Sequence, residues 1–175
     1  MKRTLVALLL LSSAVSIAVA QDSLSIYLKP LAPFVGTIWK GVFRQSTAEN
    51  PQIDVARWER ALNGRAVRIL HSVNDGAYGG ETIVVWDAKR ESLVFSYFTT
   101  AGFFTTGTAW FEDGVLVTHE SVTGDAGGIT EVRGTSAILP DGTMRAVSRY
   151  FQNGAWVDGH EILYREDASA RVVFR

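Results

Sequence analysis

Apolar and polar residues alternate along most of the chain after residue 35, in short runs separated by turn residues. Alternation with a period of two places successive side chains on opposite faces of a β-strand. Asn-Gly and Asp-Gly pairs, as at residues 63–64, 113–114 and 153–154, tolerate the positive φ that tight hairpins require. The pattern therefore predicts a meander of antiparallel hairpins.

The spacing of these turns predicts about ten strands. They cover residues 36–44, 54–62, 66–73, 78–87, 92–99, 103–112, 115–123, 130–139, 143–150 and 155–165. Ten consecutive strands are near the upper limit for an open twisted sheet, and closure of the sheet into a barrel removes its exposed edges. We therefore predict an all-β domain, a single up-and-down antiparallel β-barrel, with a short N-terminal helix within residues 24–34 at one end.

Two runs are regular enough for their faces to be separated. In residues 143–151 the predicted interior set is Met144, Ala146, Ser148 and Tyr150. In the last strand, simple alternation places on one face Trp156, Asp158, His160, Ile162 and Tyr164. Neither face of the last strand is wholly apolar, so its interior side stays open at this point.

The N-terminus has the pattern of a cleavable secretory signal peptide. Two basic residues precede an aliphatic run at residues 5–11, and an Ala-x-Ala sequence ends at Ala20. An uncleaved membrane anchor is the alternative, but the run is shorter than the ~20 residues that span a bilayer. We predict a signal peptide over residues 1–20, a barrel domain over residues 21–175, a periplasmic or secreted location, and no stable membrane insertion after cleavage.

Composition narrows the chemistry further. The chain has no cysteine, which excludes disulfides and thiol catalysis. Its formal net charge is −1, and its lysines and arginines are scattered among acidic residues, so no basic stripe is present to bind nucleic acid. Neither a Gly-x-Ser-x-Gly nucleophile elbow nor a phosphate-binding loop is present. We therefore predict no nucleic-acid partner, no cofactor or metal, and no specific catalytic residue.

The opening of the barrel, residues 34–41 (FVGTIWKG), resembles the start of calycin-type, lipocalin-like barrels. It is most similar in style to a secreted bacterial family of unknown function (DUF1579) with a Leu-x-x-Leu-x-Gly-x-Trp-x-Gly opening. Residues 56–65 resemble the second hairpin of such proteins, and residues 159–165 resemble their final strand. The resemblance covers residues 33–166 and implies a barrel with a cavity for something small and apolar, with no reaction attached.

Three histidines lie in the middle of three different predicted strands: His71, His119 and His160. Imidazoles that converge from separate strands can bind zinc or another transition metal, although such histidines are more often surface or core residues. The haem-binding barrels called nitrobindins are similar in architecture and place a haem-ligating histidine in the last strand, where this chain has His160. Haem binding is therefore an alternative that the resemblance implies.

Aromatic residues cluster around the turn at residues 99–102 and can line a cavity mouth. We predict Phe95 and Phe98 as core and either Phe103 or Phe104 as a lid. Trp39 is expected to pack across the closed end, with ligand contact as its alternative role. The full set of candidate ligand-binding residues is Trp39, Trp58, His71, Tyr97, Phe103, Phe104, His119, Tyr150 and His160.

Several charged residues also fall within strands: Arg57, Glu59, Glu81, Glu120, Glu131, Arg133, Arg149 and Glu161. Outward positions are expected, because an isolated buried charge is very costly. An inward Arg–Glu pair would instead be able to anchor a ligand carboxylate.

Three functions from different classes fit these observations. The leading hypothesis is an exported, non-enzymatic barrel that holds a small apolar or amphiphilic molecule. The second is an isomerase or lyase in which His71 or His119 acts as general base beside a carboxylate, which requires both groups to face one pocket. The third is a structural module with a filled interior.

Overall fold

The computed structural model describes residues 23–175, so the predicted signal peptide at residues 1–20 lies outside the described residues. Ten antiparallel strands close into one barrel, in which each strand pairs with its neighbours in sequence and the first pairs with the last. The strands are β1 (Ile38–Phe43), β2 (Ile53–Ala61), β3 (Ala66–Val73), β4 (Tyr78–Asp87), β5 (Ser92–Thr99), β6 (Phe104–Glu112), β7 (Val115–Thr123), β8 (Ile129–Ile138), β9 (Met144–Gln152) and β10 (Ala155–Glu166). The predicted up-and-down barrel is confirmed.

Tight hairpins join most of the strands where the sequence predicts them. At the turn between β9 and β10, Asn153 has φ 53° and Gly154 has φ 84°. Two consecutive positive φ values match the right-handed twist of the flanking strands, and Asn and Gly adopt them at low cost. The predicted strand limits therefore lie close to the observed ones.

A short 3-10 helix, Ile26–Leu31, covers one end of the barrel, which we call the plugged end. Its residues Leu28 and Leu31 and the following Phe34 are buried against the barrel core, and the indole Nε1 of Trp39 donates a hydrogen bond of 3.2 Å to the Phe34 carbonyl oxygen. Burial of each such apolar side chain is worth about 1.5–3 kcal/mol. The predicted N-terminal helix is thus confirmed as a plug.

Two further 3-10 turns occupy Leu62–Gly64 and Asn74–Gly76, in the β2–β3 and β3–β4 connections. Within residues 23–175, no helix is both long enough and apolar enough to cross a membrane.

A β-bulge in β10 changes which side chains face inward. The pairing of β10 with β9 shifts register between Asp158 and Glu161. A bulge adds one residue to one strand and re-aims the side chains that follow. His160 therefore faces the interior, whereas the side chain of Asp158 is 96% exposed. The expectation that Asp158 and His160 share a face is wrong for this reason.

Candidate ligand-binding site

The barrel encloses a cavity of about 820 Å³. This volume lies within the usual range for sites that bind small molecules, about 300–1,000 Å³. The part of the cavity nearest the plugged end is bounded by apolar side chains from many strands. They include Leu31, Trp58, Val84, Ala109, Leu116 and Met144.

Polar side chains are concentrated in the other half of the cavity. Most of them come from strand segments away from the plugged end, and Tyr164, whose backbone lies opposite Met144, extends its hydroxyl to Asp54. This polar half is formed by Asp54, His71, Tyr78, Tyr97, Thr105, Glu120, Ser148, Tyr150, His160 and Tyr164. The ionisable side chains of the cavity are therefore concentrated in this half, beside apolar residues such as Phe43 and Ile129.

Two connections at the end opposite the plug border the cavity and form its mouth. Ala101 and Phe103 come from the β5–β6 turn, and Asp125 and Ala126 come from the β7–β8 loop. Phe103 thus lies at the mouth, where a lid residue is expected.

A chain of hydrogen bonds crosses the polar half of the cavity. Nδ1 of His71 lies 2.8 Å from Oδ1 of Asp54, and its Nε2 lies 2.8 Å from the Tyr97 hydroxyl. The Tyr97 hydroxyl is 2.6 Å from that of Tyr78. At the other end, the Tyr164 hydroxyl donates to Oδ2 of Asp54 at 2.8 Å. Five side chains from five strands are therefore coupled.

A glycine on β4 leaves the space in which this chain of hydrogen bonds forms. His71 on β3 lies opposite Gly80 on β4, and Gly80 lies opposite Thr99 on β5. Because Gly80 has no side chain, the Tyr97 ring can lie directly over the β4 backbone and reach His71; a methyl group at Gly80 would overlap that ring. Gly41 makes room for Tyr164 on the opposite side in the same way.

The partners of Asp54 determine the direction of the hydrogen bonds. A carboxylate accepts from both of its partners, so His71 donates through Nδ1–H; when the His71 ring is neutral, its Nε2 accepts from the Tyr97 hydroxyl. The oxygen of Tyr97 then accepts from Tyr78, whose only hydroxyl proton is used. Tyr78 therefore has only lone pairs to offer to a molecule in the cavity.

Burial keeps the tyrosine hydroxyls in this chain of hydrogen bonds protonated. It is the main cause that raises the pKa of Tyr78, Tyr97 and Tyr164. The charge of Asp54 adds to the increase for all three. These hydroxyls act as neutral hydrogen-bonding groups at physiological pH.

Glu120 is the second carboxyl group in the polar half. Burial raises its pKa, while side-chain hydrogen bonds from Thr105 and Thr118 act in the opposite direction. The Thr105 hydroxyl donates to Oε2 of Glu120 at 2.6 Å. The carboxyl group is therefore held in place by the wall, with one side bordering the cavity.

His160 presents its imidazole to the cavity without a hydrogen-bond partner among residues 23–175. Its ring packs edge-on against Phe43 and Tyr150, with centroid distances of 5.1 and 5.6 Å. Partial burial lowers the pKa of His160, so the ring is neutral at pH 7. A neutral, unpartnered imidazole is available to a ligand.

Of the groups that haem would need in the cavity, the structure provides only the imidazole of His160. Haem iron takes a single neutral histidine as proximal ligand, which His160 is able to supply. Among residues 23–175, however, no lysine or arginine lines the cavity to pair with the haem propionates. The surrounding residues therefore do not fit the group as a whole.

The three histidines do not converge. His71 and His160 face the cavity, but His119 lies on the outer surface and pairs with Glu131 at 2.9 Å. In the part of the chain that the structure describes, no group of three or more His, Cys, Asp or Glu residues is arranged to hold a metal ion. His119 is also excluded as a base inside the pocket.

Six of the nine candidate ligand-binding residues line the cavity: Trp58, His71, Tyr97, Phe103, Tyr150 and His160. The other three lie elsewhere. Trp39 is buried at the plugged end, where the sequence analysis expects it to pack, and Phe104 and His119 face outward. The predicted core position of Phe98 is wrong, because this residue is 54% exposed and stacks on Phe104 outside the barrel.

The charged residues within strands mostly face outward, as expected. Arg68, for example, pairs with Glu59 and Glu81 on the outer surface of the barrel. Glu120 is the exception among the predicted set, because it borders the cavity. An inward Arg–Glu pair does not occur among residues 23–175, so the anchor considered for a ligand carboxylate is absent there.

Sequence reasoning missed Asp54, Tyr78 and Tyr164 as site residues. A signal for Asp54 was present, because it alternates with Ala56 and Trp58 and so shares their interior face. Tyr78 begins a strand directly after a turn, where alternation has no preceding residues to define a face. The bulge obscured the face of Tyr164.

No protein-family model matches this chain, and the search of curated proteins found no match to it. The closed barrel of ten antiparallel strands is consistent with the calycin-like architecture that its opening residues resemble.

Proposed function

We propose that this protein is an exported barrel that binds one small amphiphilic molecule inside its cavity. The observation that carries the proposal is the concentration of ionisable side chains in the polar half of the cavity, while apolar side chains such as Leu31 and Met144 bound the cavity at the plugged end. Small-molecule sites are largely apolar, with a few polar groups that orient the ligand. An apolar tail inserted toward Leu31 and Met144 would leave a polar end among the tyrosines and histidines.

Native mass spectrometry and the binding of a fluorescent probe test this proposal. The protein is purified from the periplasm of an expression host, examined by native mass spectrometry for a co-purified molecule, and titrated with the neutral fluorescent probe N-phenyl-1-naphthylamine. We expect saturable 1:1 binding, which Ala146→Phe should abolish because Ala146 borders the cavity. Ala155→Phe, which places the same ring at the exposed first residue of β10, is the matched control.

Two results would contradict the binding proposal. One is the absence of both a co-purified molecule and saturable probe binding. The other is probe binding that Ala146→Phe leaves unchanged, which would locate the probe outside the barrel. Thermal unfolding of both variants shows that the comparison is between folded proteins.

A second candidate function is proton transfer to or from a bound molecule, favoured by the Asp54–His71–Tyr97–Tyr78 chain. An oriented histidine beside a carboxylate is a common arrangement for acid–base catalysis. Here His71 would act through Tyr97 and Tyr78, since both of its ring nitrogens already have partners. Deuterium incorporation from D2O into enolisable ketones, lost in His71→Gln, would support catalysis.

The same preparation tests the haem alternative. Addition of haemin should produce a Soret shift that His160→Ala removes if His160 is a haem ligand. If haemin changes the spectrum of neither the unmodified protein nor His160→Ala, the haem alternative is wrong.

A further inference from the structure

We infer that the cavity selects amphiphiles whose polar end is a protonated amine and discriminates against those that end in a carboxylate or phosphate. This inference rests on the proposed binding function and specifies the ligand class. It follows from the charges that line the cavity and from the direction of the hydrogen bonds along its wall.

The charge that borders the cavity is one-sided. Asp54 and Glu120 lie in its polar half and Asp125 lies at its mouth. Among residues 23–175, no lysine or arginine lines the cavity to balance them. Like charges repel more strongly inside a protein cavity than in bulk water, so an anionic end group would enter at a cost.

Three of the hydrogen-bonding groups at the cavity surface present acceptors to a ligand. Beside a neutral His71 ring, Tyr78 donates its proton to Tyr97 and presents only lone pairs, and the neutral ring of His160 has a nitrogen lone pair to offer. Glu120 accepts from Thr105 through one oxygen and borders the cavity. An ammonium group has three donors and no acceptor, which complements this set.

These acceptors belong to one cavity wall. The His160 ring packs against that of Tyr150 with centroids 5.6 Å apart, and the Tyr78 hydroxyl lies 2.6 Å from that of Tyr97. All four residues line the cavity together with Glu120. Aromatic rings attract a cation that lies over their faces, which would add to the binding of an ammonium group.

The carboxyl group of Glu120 is the main determinant in this scheme. A buried carboxyl group without a cationic partner is costly to ionise. An ammonium group beside it would compensate for that cost, while a carboxylate would increase it. Selectivity should therefore depend on Glu120 far more than on a carboxylate of the outer surface.

Three ligands with the same chain and different ends test the inference: dodecylamine, 1-dodecanol and laurate. Each is titrated below its micellar concentration, at pH 7.5, against N-phenyl-1-naphthylamine bound to the protein purified from the periplasm. We expect dodecylamine to bind at least about tenfold more tightly than laurate, with dodecanol between them. Glu120→Gln should reduce the amine-to-laurate affinity ratio severalfold.

Glu131→Gln is the matched control, because it makes the same change of charge on the outer surface, where Glu131 pairs with His119. It should leave the ratio unchanged. If Glu120→Gln fails to fold, Tyr78→Phe removes the lone-pair acceptor and should weaken dodecylamine more than laurate. The exposed Tyr27 supplies its control as Tyr27→Phe.

Laurate binding as tight as dodecylamine would overturn the inference while leaving the binding function intact. So would a ratio that Glu120→Gln and Glu131→Gln change equally. Failure of all three ligands and of the probe would instead overturn the proposed function itself, and the inference with it.

Discussion

The two halves of the barrel interior differ in what their side chains contribute. At the plugged end, Leu28 and Leu31 are 0% and 1% exposed and pack with Phe34 in a continuous apolar cluster. Toward the mouth, the interior carries most of the ionisable side chains of the cavity, and several of them are joined by hydrogen bonds. The layer under the plug resembles an ordinary core, and the polar half carries the hydrogen-bonding groups of the candidate site.

This contrast indicates a division between stability and binding. Apolar contacts in a close-packed interior carry most of the favourable free energy of folding. Buried polar groups contribute less, and an ionisable group without a charged partner lowers stability. Substitutions in the plugged half should therefore act mainly on stability, and substitutions in the polar half should separate stability from binding.

The largest effect is expected from Leu28→Ala. The side chain is fully buried under the plug, so truncation leaves a cavity and should lower the free energy of unfolding by about 2–5 kcal/mol. Chemical denaturation measures this loss. Ile26→Ala, on the exposed side of the same helix, is the control and should cost less than about 1 kcal/mol. Equal losses would show that the helix does not close the core.

A smaller loss is expected from His71→Phe in the polar half. The substitution retains a ring but removes the partner of Oδ1 of Asp54, which is 2% exposed, and of the Tyr97 hydroxyl. Leaving buried polar groups unsatisfied should cost about 1–3 kcal/mol. His119→Phe alters a surface pair and should change stability by less than about 0.5 kcal/mol. Similar losses would contradict the assigned difference between these histidines.

The sequence predicted the architecture well because the architecture depends on local signals. Alternation and Asn-Gly or Asp-Gly turns recur along the chain, and each marks a strand or a hairpin without reference to distant residues. The helix at Ile26–Leu31 was recognised from its apolar residues in the same way. These features survive in the structure with small changes of their limits.

The site was harder to predict because it depends on relations between strands. The approach of Tyr97 to His71 requires the register that places Gly80 between them, and register is not written in either strand alone. The inward position of His160 depends on a bulge opposite β9. For Phe98, an apolar residue type suggested a core position, but the period of two places it outside, next to the interior Tyr97.

In the polar half, Glu120→Gln should increase stability rather than decrease it. The folded-state pKa of Glu120 is raised by burial, so its stabilising protonated form is present below about pH 4.5 and is lost as the pH rises through the folded-state pKa. The amide removes that loss and still accepts from Thr105. We expect a gain of up to about 1 kcal/mol at pH 7.5 that disappears near pH 4.

Thermal unfolding of Glu120→Gln and of the surface control Glu131→Gln across this pH range measures the difference. A lower melting temperature for Glu120→Gln at pH 7.5 would contradict the assignment of Glu120 as a destabilising cavity group. A higher melting temperature for Glu120→Gln, together with weaker amine binding, would show that Glu120 lowers stability while it contributes to ligand recognition.

The smallest effect is expected at His160, whose pKa is lowered by partial burial. The unfolded chain then binds a proton near pH 6.5 while the folded ring stays neutral, so stability falls as the pH drops below about 6.5 and levels off below the folded-state pKa. Because the ring is accessible from the cavity, the loss should be less than about 1 kcal/mol. His160→Gln should flatten the decline between pH 7 and pH 5, whereas His119→Gln on the outer surface should not. A decline that is equally steep in His160→Gln would place its origin in other groups and would remove the argument that His160 is held as a neutral acceptor for the ligand.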